Sequence, residues 1–326
     1  MVRKKIVLIR LDKIGDLICS LPADQILDPN KYDVTWIVQK GLGQVVDLGS
    51  YERKYFELDK NEPKISAETL AKILSDLKPE IAISFQAPWW VNLELFKARI
   101  PIRSGVRSQW HSFLFLNQGL RQKRSLAQKH ELEYNLDLVR STLDLKSDDK
   151  YLYFEILKPV DQDVLAKHSL RAKNYCVVHP GMMGSALNWK PLQYIDFIRR
   201  QLLKNKKVVI TGTAADEVYL TDIKNEFVKN PQVLILQSQL NLKELVQILF
   251  NAEFTLAPST GVAHLAASVG AKVLGIYSPI RVHHPRRWAP RGPNVQVYLP
   301  SVACPASHHC LKEACPYYNC MDSVSI

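Results

Sequence analysis

No apolar run in this 326-residue chain reaches the length needed to cross a bilayer, which excludes a membrane-spanning helix. No segment is of low complexity, and the two halves show no convincing sequence repeat. No Gly-x-Gly-x-x-Gly follows the first apolar strand and no Walker lysine motif occurs, so a standard dinucleotide site and a P-loop are not expected. Acidic residues are in short supply: 32 Asp and Glu face 43 Lys and Arg, a net charge of +11. Such an excess points to an anionic partner, whether nucleic acid, a membrane surface or a phosphorylated substrate.

What remains is an ordinary globular composition, 47% hydrophobic and 23% charged, with room for two domains. The N-terminal Met-Val-Arg-Lys-Lys-Ile-Val-Leu-Ile-Arg10 has a superficial likeness to a signal peptide. Its apolar part is only four residues long, so it reads as a first β-strand and the protein is expected to be cytoplasmic. Basic residues gather at Arg99, Arg103, Arg107, Arg121, Lys123, Arg124 and Lys129, with a second group at Arg281, Arg286, Arg287 and Arg291. Among six cysteines, Cys19 and Cys176 lie in apolar contexts and suit a core. Cys304, Cys310, Cys315 and Cys320 crowd the C-terminal end around His308 and His309, but no pair has the two-residue gap of a zinc knuckle. A structural zinc on these four is one expectation and unpaired thiols another; in a reducing cytoplasm a disulfide is the weaker reading.

Strand and helix patterns alternate. The first half reads as strand Lys5–Arg10, strand Val34–Val38, helix Ala67–Leu77, strand Ile81–Phe85 and helix Glu131–Leu143. The second half reads as strand Tyr175–His179, helix Leu192–Leu203, strand Lys207–Thr211, helix Ala215–Val228 and strand Val233–Leu236. A capping-box helix from Asn241 to Asn251, strand 254–258, helix 260–269 and strand 273–277 complete it. This order implies two doubly wound parallel sheets, an N-terminal domain over 1–155 and a C-terminal domain over 156–326, with the hinge between about 145 and 172. Open α/β sheets bind ligands beyond the C-terminal ends of their strands. Glycine-bearing turns fall at three such ends: Ile14-Gly15-Asp16, His179-Pro180-Gly181 and Thr260-Gly261.

The third of these is the most telling. Phe254-Thr-Leu-Ala-Pro258 runs into Ser259-Thr260-Gly261-Val262-Ala263-His264-Leu265-Ala266-Ala267, a strand, a tight turn and a helix start. Its unbonded N–H groups and positive dipole end suit a phosphate or diphosphate, with His264 one turn inside on the face of Thr260. A buried packing turn with a satisfied core histidine fits the same residues equally well.

Ile-Arg10-Leu-Asp-Lys-Ile-Gly15-Asp16-Leu, His179-Pro180-Gly181, Gly212 with Asp216-Glu217, and the Ser259–Ala267 run together resemble glycosyltransferase family 9, the bacterial heptosyltransferases of lipopolysaccharide core assembly. The cysteine-bearing tail 302–321 is similar to one found in many members. The resemblance implies GT-B architecture, two Rossmann-like domains facing across a cleft. It implies a nucleotide-sugar donor, typically ADP-heptose, on the C-terminal half, and a lipid-linked or oligosaccharide acceptor on the N-terminal half. Transfer would be inverting and would require no metal or other cofactor. Asp16 matches the proposed general base, with Asp12 a second choice and an acceptor contact. Gly181, Lys190, Asp216, Glu217, Ser259, Thr260, Gly261 and His264 become the donor-binding candidates. Arg103, Arg107, Lys123 and Arg124 would face a phosphorylated or acidic acceptor, or hold the protein against the anionic inner membrane. Many relatives carry lysine or arginine just before the tryptophan matching Trp189; here those positions are Leu187 and Asn188, and Lys190 follows instead.

Three other readings stay open: a sugar-nucleotide epimerase on the same fold, a degenerate member that binds nucleotide without catalysis, and a nucleic-acid-binding protein with a zinc tail. The last has least support, because the basic residues form no recognised motif and no nucleic-acid partner is expected.

Overall fold

The computed structural model describes residues 2–148, 150–159, 163–182, 184 and 186–326. The stretch 146–150 and the expected hinge include residues 149 and 160–162, which lie outside the described residues. The chain divides into two compact units, unit 1 over 1–124 and 131–154, and unit 2 over 125–130 and 155–326.

In unit 1, β1 (Lys4–Arg10), β2 (Tyr32–Gln39), β3 (Lys54–Leu58), β4 (Ile81–Gln86), β5 (Ile102–Val106) and β6 (Gln118–Leu120) make one sheet in the order β3-β2-β1-β4-β5-β6. Every pairing is parallel. Its helices are α1 (Ile14–Ile18), α2 (Gly43–Asp47), α3 (Pro63–Leu77), α4 (Trp89–Lys97), α5 (Trp110–Phe115) and α6 (Glu131–Leu143). β1 is buried from Ile6 to Arg10, as a central parallel strand covered on both faces must be. Val7, Ile9 and Leu11 pack with Leu70, Ile73 and Leu74 of α3 and with Trp90 and Leu95 of α4. α3 starts with Pro63 in its first turn and stops at Lys78, which takes the left-handed conformation at φ 48°. Its Leu70, Ile73 and Leu74 form a helical stripe, and truncating Leu70 to alanine would cost about 2–5 kcal/mol.

Unit 2 carries β7 (Tyr175–Val178), β8 (Lys207–Gly212), β9 (Val233–Gln237), β10 (Thr255–Pro258), β11 (Val273–Ile276) and β12 (Val295–Tyr298), in the order β12-β11-β10-β7-β8-β9 and again all parallel. Counted from its own first strand, this is the strand order of unit 1. The helices are α7 (Asp163–Lys167), α8 (Pro191–Leu203), α9 (Glu217–Phe227), α10 (Leu242–Asn251), α11 (Gly261–Ser268) and α12 (Pro285–Trp288). Trp189, Tyr194, Phe197 and Ile198 pack on Val178, Val208, Ile210 and Leu256, and the tail adds Met321 and Val324 to the same cluster. Trp189 Nε1 donates to the Val324 carbonyl at 3.1 Å, and Arg200 Nη1 donates to that of Ile326 at 2.8 Å.

The capping box expected at α10 is present: Glu244 N donates to Asn241 Oδ1 and Asn241 N to Glu244 Oε2, both at 2.9 Å. The helix expected from Ala215 begins instead at Glu217, after a 3-10 turn over Ala214–Asp216. The sequence reading missed β3, β5, β6 and β12, which are short and only partly buried. It also missed α4 and α5, whose exposed faces carry large apolar residues and so blur helical periodicity.

Candidate functional site

Both sheets reverse their winding beside the first strand, between β1 and β4 and between β7 and β10. Such switch points are where open α/β sheets hold ligands. Each unit gathers its candidate residues at its own switch point.

In unit 1 the pairing of β1 with β4 slips between Ile9 and Arg10, so that Ile9 faces Ser84 but Arg10 faces Gln86. Irregularities of this kind re-aim a side chain at a strand end. Arg10 is 1% exposed and is ringed by carboxylates: its Nη2 donates to Asp16 Oδ1 at 2.6 Å, its Nε lies 3.0 Å from Asp12 Oδ2, and its Nη1 lies 3.5 Å from Glu131 Oε1. Lys60 approaches the other oxygen of Asp12 at 3.5 Å. Glu131, the first residue of α6, is fully buried and also accepts from Arg124. A buried arginine of this kind is tolerated only because it is paired. Burial works against its charge, but Asp16, Asp12 and Glu131 together more than offset this and raise its pKa. Burial likewise raises the pKa of Asp16; Arg10 opposes the shift, and Asp12 and Glu131 add to it. Asp16 is still 20% exposed, so the carboxylate is embedded without being sealed.

In unit 2, α11 begins at the end of β10 with Thr260 as its N-cap, in extended conformation and with no capping bond from its hydroxyl. Ser259, Thr260, Gly261 and Val262 are partly exposed, whereas the rest of the helix is buried. Together they present an N-terminal turn of backbone N–H groups. His264 is 4% exposed; burial, with His130 nearby, depresses its pKa to about 3 and keeps the ring neutral. At the end of β7, His179 Nδ1 lies 3.0 Å from Thr211 Oγ1. Burial lowers its pKa to about 4 against the pull of Asp216. Gly181 is required here by close approach, since a Cβ would stand 2.1 Å from Asp216 Cγ.

The other candidates are engaged elsewhere. Asp216 Oδ2 accepts from Thr213 N at 2.9 Å and Thr213 Oγ1 at 2.8 Å, closing a capping box. Glu217 is bound to Lys224, with Oε1 2.8 Å from Nζ, and to Gln237. Lys190 pairs with Asp322 at 2.7 Å. Asn188 donates to the Pro180 carbonyl and accepts from Tyr194, both at 2.8 Å, so it braces the Pro180–Gly181 turn. Of the four basic acceptor candidates, only Lys123 is exposed on the surface. Arg124 is buried against Glu131 and Gln122. Arg103 donates to the carbonyls of Ile100 and Phe115, and Arg107 to that of Leu116. Three of the four therefore hold the polypeptide together.

Cys304, Cys310, Cys315 and Cys320 are half-exposed, and no disulfide links them. Burial raises the pKa of Cys320, and the other three add to the shift as neighbours. Even so, among the described residues no group of three or more His, Cys, Asp or Glu is arranged to hold a metal ion. The thiols as they stand do not fit the expected zinc. Among the described residues, no helix is long and apolar enough to cross a membrane.

Sequence reasoning overlooked Arg10, Glu131, His179 and Asn188 as site residues. Arg10 offered a signal, an arginine ending an otherwise apolar strand.

Two all-parallel Rossmann-like sheets, each with candidate residues at its switch point, define the GT-B class of glycosyltransferases. Residues 69–319 match glycosyltransferase family 9 (heptosyltransferase), and the chain belongs to that family. A Haemophilus influenzae protein described as a glycosyltransferase is 28% identical over 299 residues, 88% of this chain and 86% of that one. Among solved structures, a family 9 glycosyl transferase from Veillonella parvula superposes with a TM-score of 0.76 at 18% identity, covering 91% of this chain and 86% of that one. E. coli ADP-heptose LPS heptosyltransferase II gives 0.74 at 18% identity, covering 91% of each chain.

Proposed function

We propose that this protein transfers a heptose or related sugar from ADP-heptose to a lipopolysaccharide core or related surface-glycan acceptor, with inversion and without a metal ion. A cytoplasmic location belongs to the same proposal. The observation that carries the reading is Asp16, a part-exposed carboxylate bonded to buried Arg10 at the switch point of unit 1. The family and the name of the E. coli relative support the choice of donor.

The chemistry follows from these residues. An acceptor hydroxyl attacks the anomeric carbon opposite the diphosphate. The new C–O bond forms as the bond to the diphosphate oxygen breaks, and a single displacement inverts the centre. Asp16 takes the hydroxyl proton, and the diphosphate leaves with the electron pair. A carboxyl pKa raised by burial brings the base nearer the working pH. The N-terminal turn of α11 and the Thr260 hydroxyl meet the negative charge of the leaving group. His264, being neutral, contributes a ring N–H and no charge. Asp12, held by Arg10 and Lys60, is the candidate acceptor contact in unit 1.

Calorimetry with ADP-heptose against UDP- and GDP-sugars, in the presence of a chelator, tests the donor. Tight binding of ADP-heptose alone is expected. Preference for another nucleotide would overturn the donor assignment, and no binding to any would leave a family member without transferase activity.

A further inference from the structure

Asp16 is one end of a row of charges that runs inward from the switch point of unit 1. Anion and cation alternate along it: Asp16, Arg10, Glu131, Arg124. Arg10 Nη2 donates to Asp16 Oδ1 at 2.6 Å, and Arg10 Nη1 lies 3.5 Å from Glu131 Oε1. Arg124 Nη1 donates to that same Glu131 oxygen. The row closes off from solvent as it goes, from 20% exposure at the Asp16 side chain to 1% at Arg10 and 0% at Glu131. Arg124, at the far end, is clamped. Its Nε and Nη2 donate to Gln122 Oε1 at 2.9 and 2.7 Å, and its guanidinium lies 5.5 Å over the Tyr134 ring. Gln122 is tied in turn, its Nε2 donating to the Tyr134 carbonyl at 2.6 Å.

The same helix holds the backbone of the base. Glu131 and Asn135 stand four apart on α6, hence on one face, and both are fully buried. Asn135 Nδ2 donates to the Cys19 carbonyl at 3.0 Å and to Ser20 Oγ at 3.1 Å, and Ser20 Oγ donates to the Asp16 carbonyl at 2.8 Å. One face of α6 therefore reaches Asp16 twice, through its backbone and through its charge. A buried ion pair is a poor way to gain stability, since apolar residues of like volume do as well or better. Arg124 and Glu131 have a use that apolar residues could not fill. With Arg124 in place, the Glu131 charge is answered on its inner side and Arg10 is left to the aspartates. Without Arg124, Glu131 would draw Arg10 inward and set an unanswered negative charge behind Asp16.

We propose that Arg124 and Glu131 are positioning residues for Asp16: Arg124 balances Glu131, so that Arg10 keeps its hold on Asp16 and the carboxylate keeps its place and its affinity for a proton. The proposal rests on the reading of Asp16 as the general base. The charges that act on Asp16 are Arg10 and Asp12 from the end of β1 and Glu131 from α6, with Lys60 3.5 Å from Asp12 and Arg124 on Glu131. Three cations thus face three carboxylates, and removing one charge tips the set in a definite sense.

The experiment measures kcat/KM against pH and, independently of turnover, the carbon-13 titration of the Asp16 carboxyl. Arg124→Gln leaves Glu131 unbalanced, so the acid limb and the Asp16 titration move to higher pH, by about one pH unit. Glu131→Gln keeps the shape and removes a like charge, so both move to lower pH by a similar amount. The double variant returns them close to the wild-type position. Arg124→Lys, which keeps the charge, holds them there as well. Residues that merely filled space would lower activity without displacing the titration in opposite directions. An Asp16 titration that moves the same way in both single variants, or that stays in place in either, would overturn the proposal. If Arg124→Gln does not fold, Glu131→Gln decides alone by its downward movement. An Asp16→Asn enzyme with normal turnover would instead remove the base reading, and the carboxyl titration would still judge the coupling.

Discussion

Units 1 and 2 wind their strands in the same order yet equip the switch point in opposite ways. Unit 1 builds with charge: Arg10 and Arg124 interlock with Asp12, Asp16 and Glu131. Unit 2 relies mainly on neutral groups, a helix N-terminus, the Thr260 hydroxyl, and His179 and His264, both held uncharged by burial, with the buried carboxylate of Asp216 beside His179 and Gly181. A base that must accept a proton needs neighbours that tune its affinity for one. A site for a charged leaving group needs fixed dipoles that do not titrate at working pH. The difference suits each unit to the part of the reaction proposed for it.

The sharpest way to break this contrast is one substitution on each side. Asp16→Asn is expected to lower turnover by about 10²–10⁴-fold while leaving the affinity for ADP unchanged. Thr260→Val is expected to do the reverse, weakening ADP binding by about fivefold with a smaller effect on the chemical step. Steady-state rates paired with calorimetry separate the two, and an Asp16→Asn enzyme that turns over normally removes the base assignment.

Arg10→Lys sharpens the charged side. Lysine keeps the charge but loses the fork that reaches Asp16, so the carboxyl pKa rises further. The acid limb of the kcat/KM profile should move to higher pH, a shift that a merely structural arginine would not produce. Arg10→Met leaves three carboxylates without their common partner and should destabilise the chain by about 3–5 kcal/mol, read as a drop in Tm.

A smaller effect is expected from the neutral side. His264 titrates ordinarily near 6.5 and is held at about 3 in the fold. His179 is held at about 4. Below pH 6.5 the unfolded chain binds protons that the folded chain refuses. The stability these two groups permit is therefore complete above that pH and is lost as pH falls toward the folded values. His264→Gln should flatten this acid loss in melting curves of the full chain. The smallest effect is the last: a chelator should leave Tm unchanged, because Trp189, Gln193 and Arg200 fasten the tail by hydrogen bonds that need no metal.

The comparison also explains what could be read ahead of the fold. Unit 2 was legible because small residues at a strand end, Ser259-Thr260-Gly261, serve their purpose through backbone that local pattern already specifies. Its strands β7, β8, β10 and β11 are apolar runs bounded by turns. Unit 1 was legible as far as Asp16. The ring around it was not, because Glu131 reaches Arg10 across 121 positions of sequence and pairing at that range leaves no local mark. The bonding of Arg103, Arg107 and Arg124 within the fold was hidden for a related reason. Composition counts charge, but it does not show which cations are already bonded to carbonyls and buried acids.

The shared strand order has a consequence for change over time. Because each sheet closes its own core and carries its own candidate site turns, substitutions that retune one half need not disturb the other. If the proposed function holds, a hybrid with residues 155–326 exchanged for those of a relative is expected to inherit the relative's nucleotide preference while keeping Asp16 as the proposed proton acceptor. Two halves wound alike can diversify donor and acceptor as separate traits, and one scaffold can supply a repertoire of linkages by recombination.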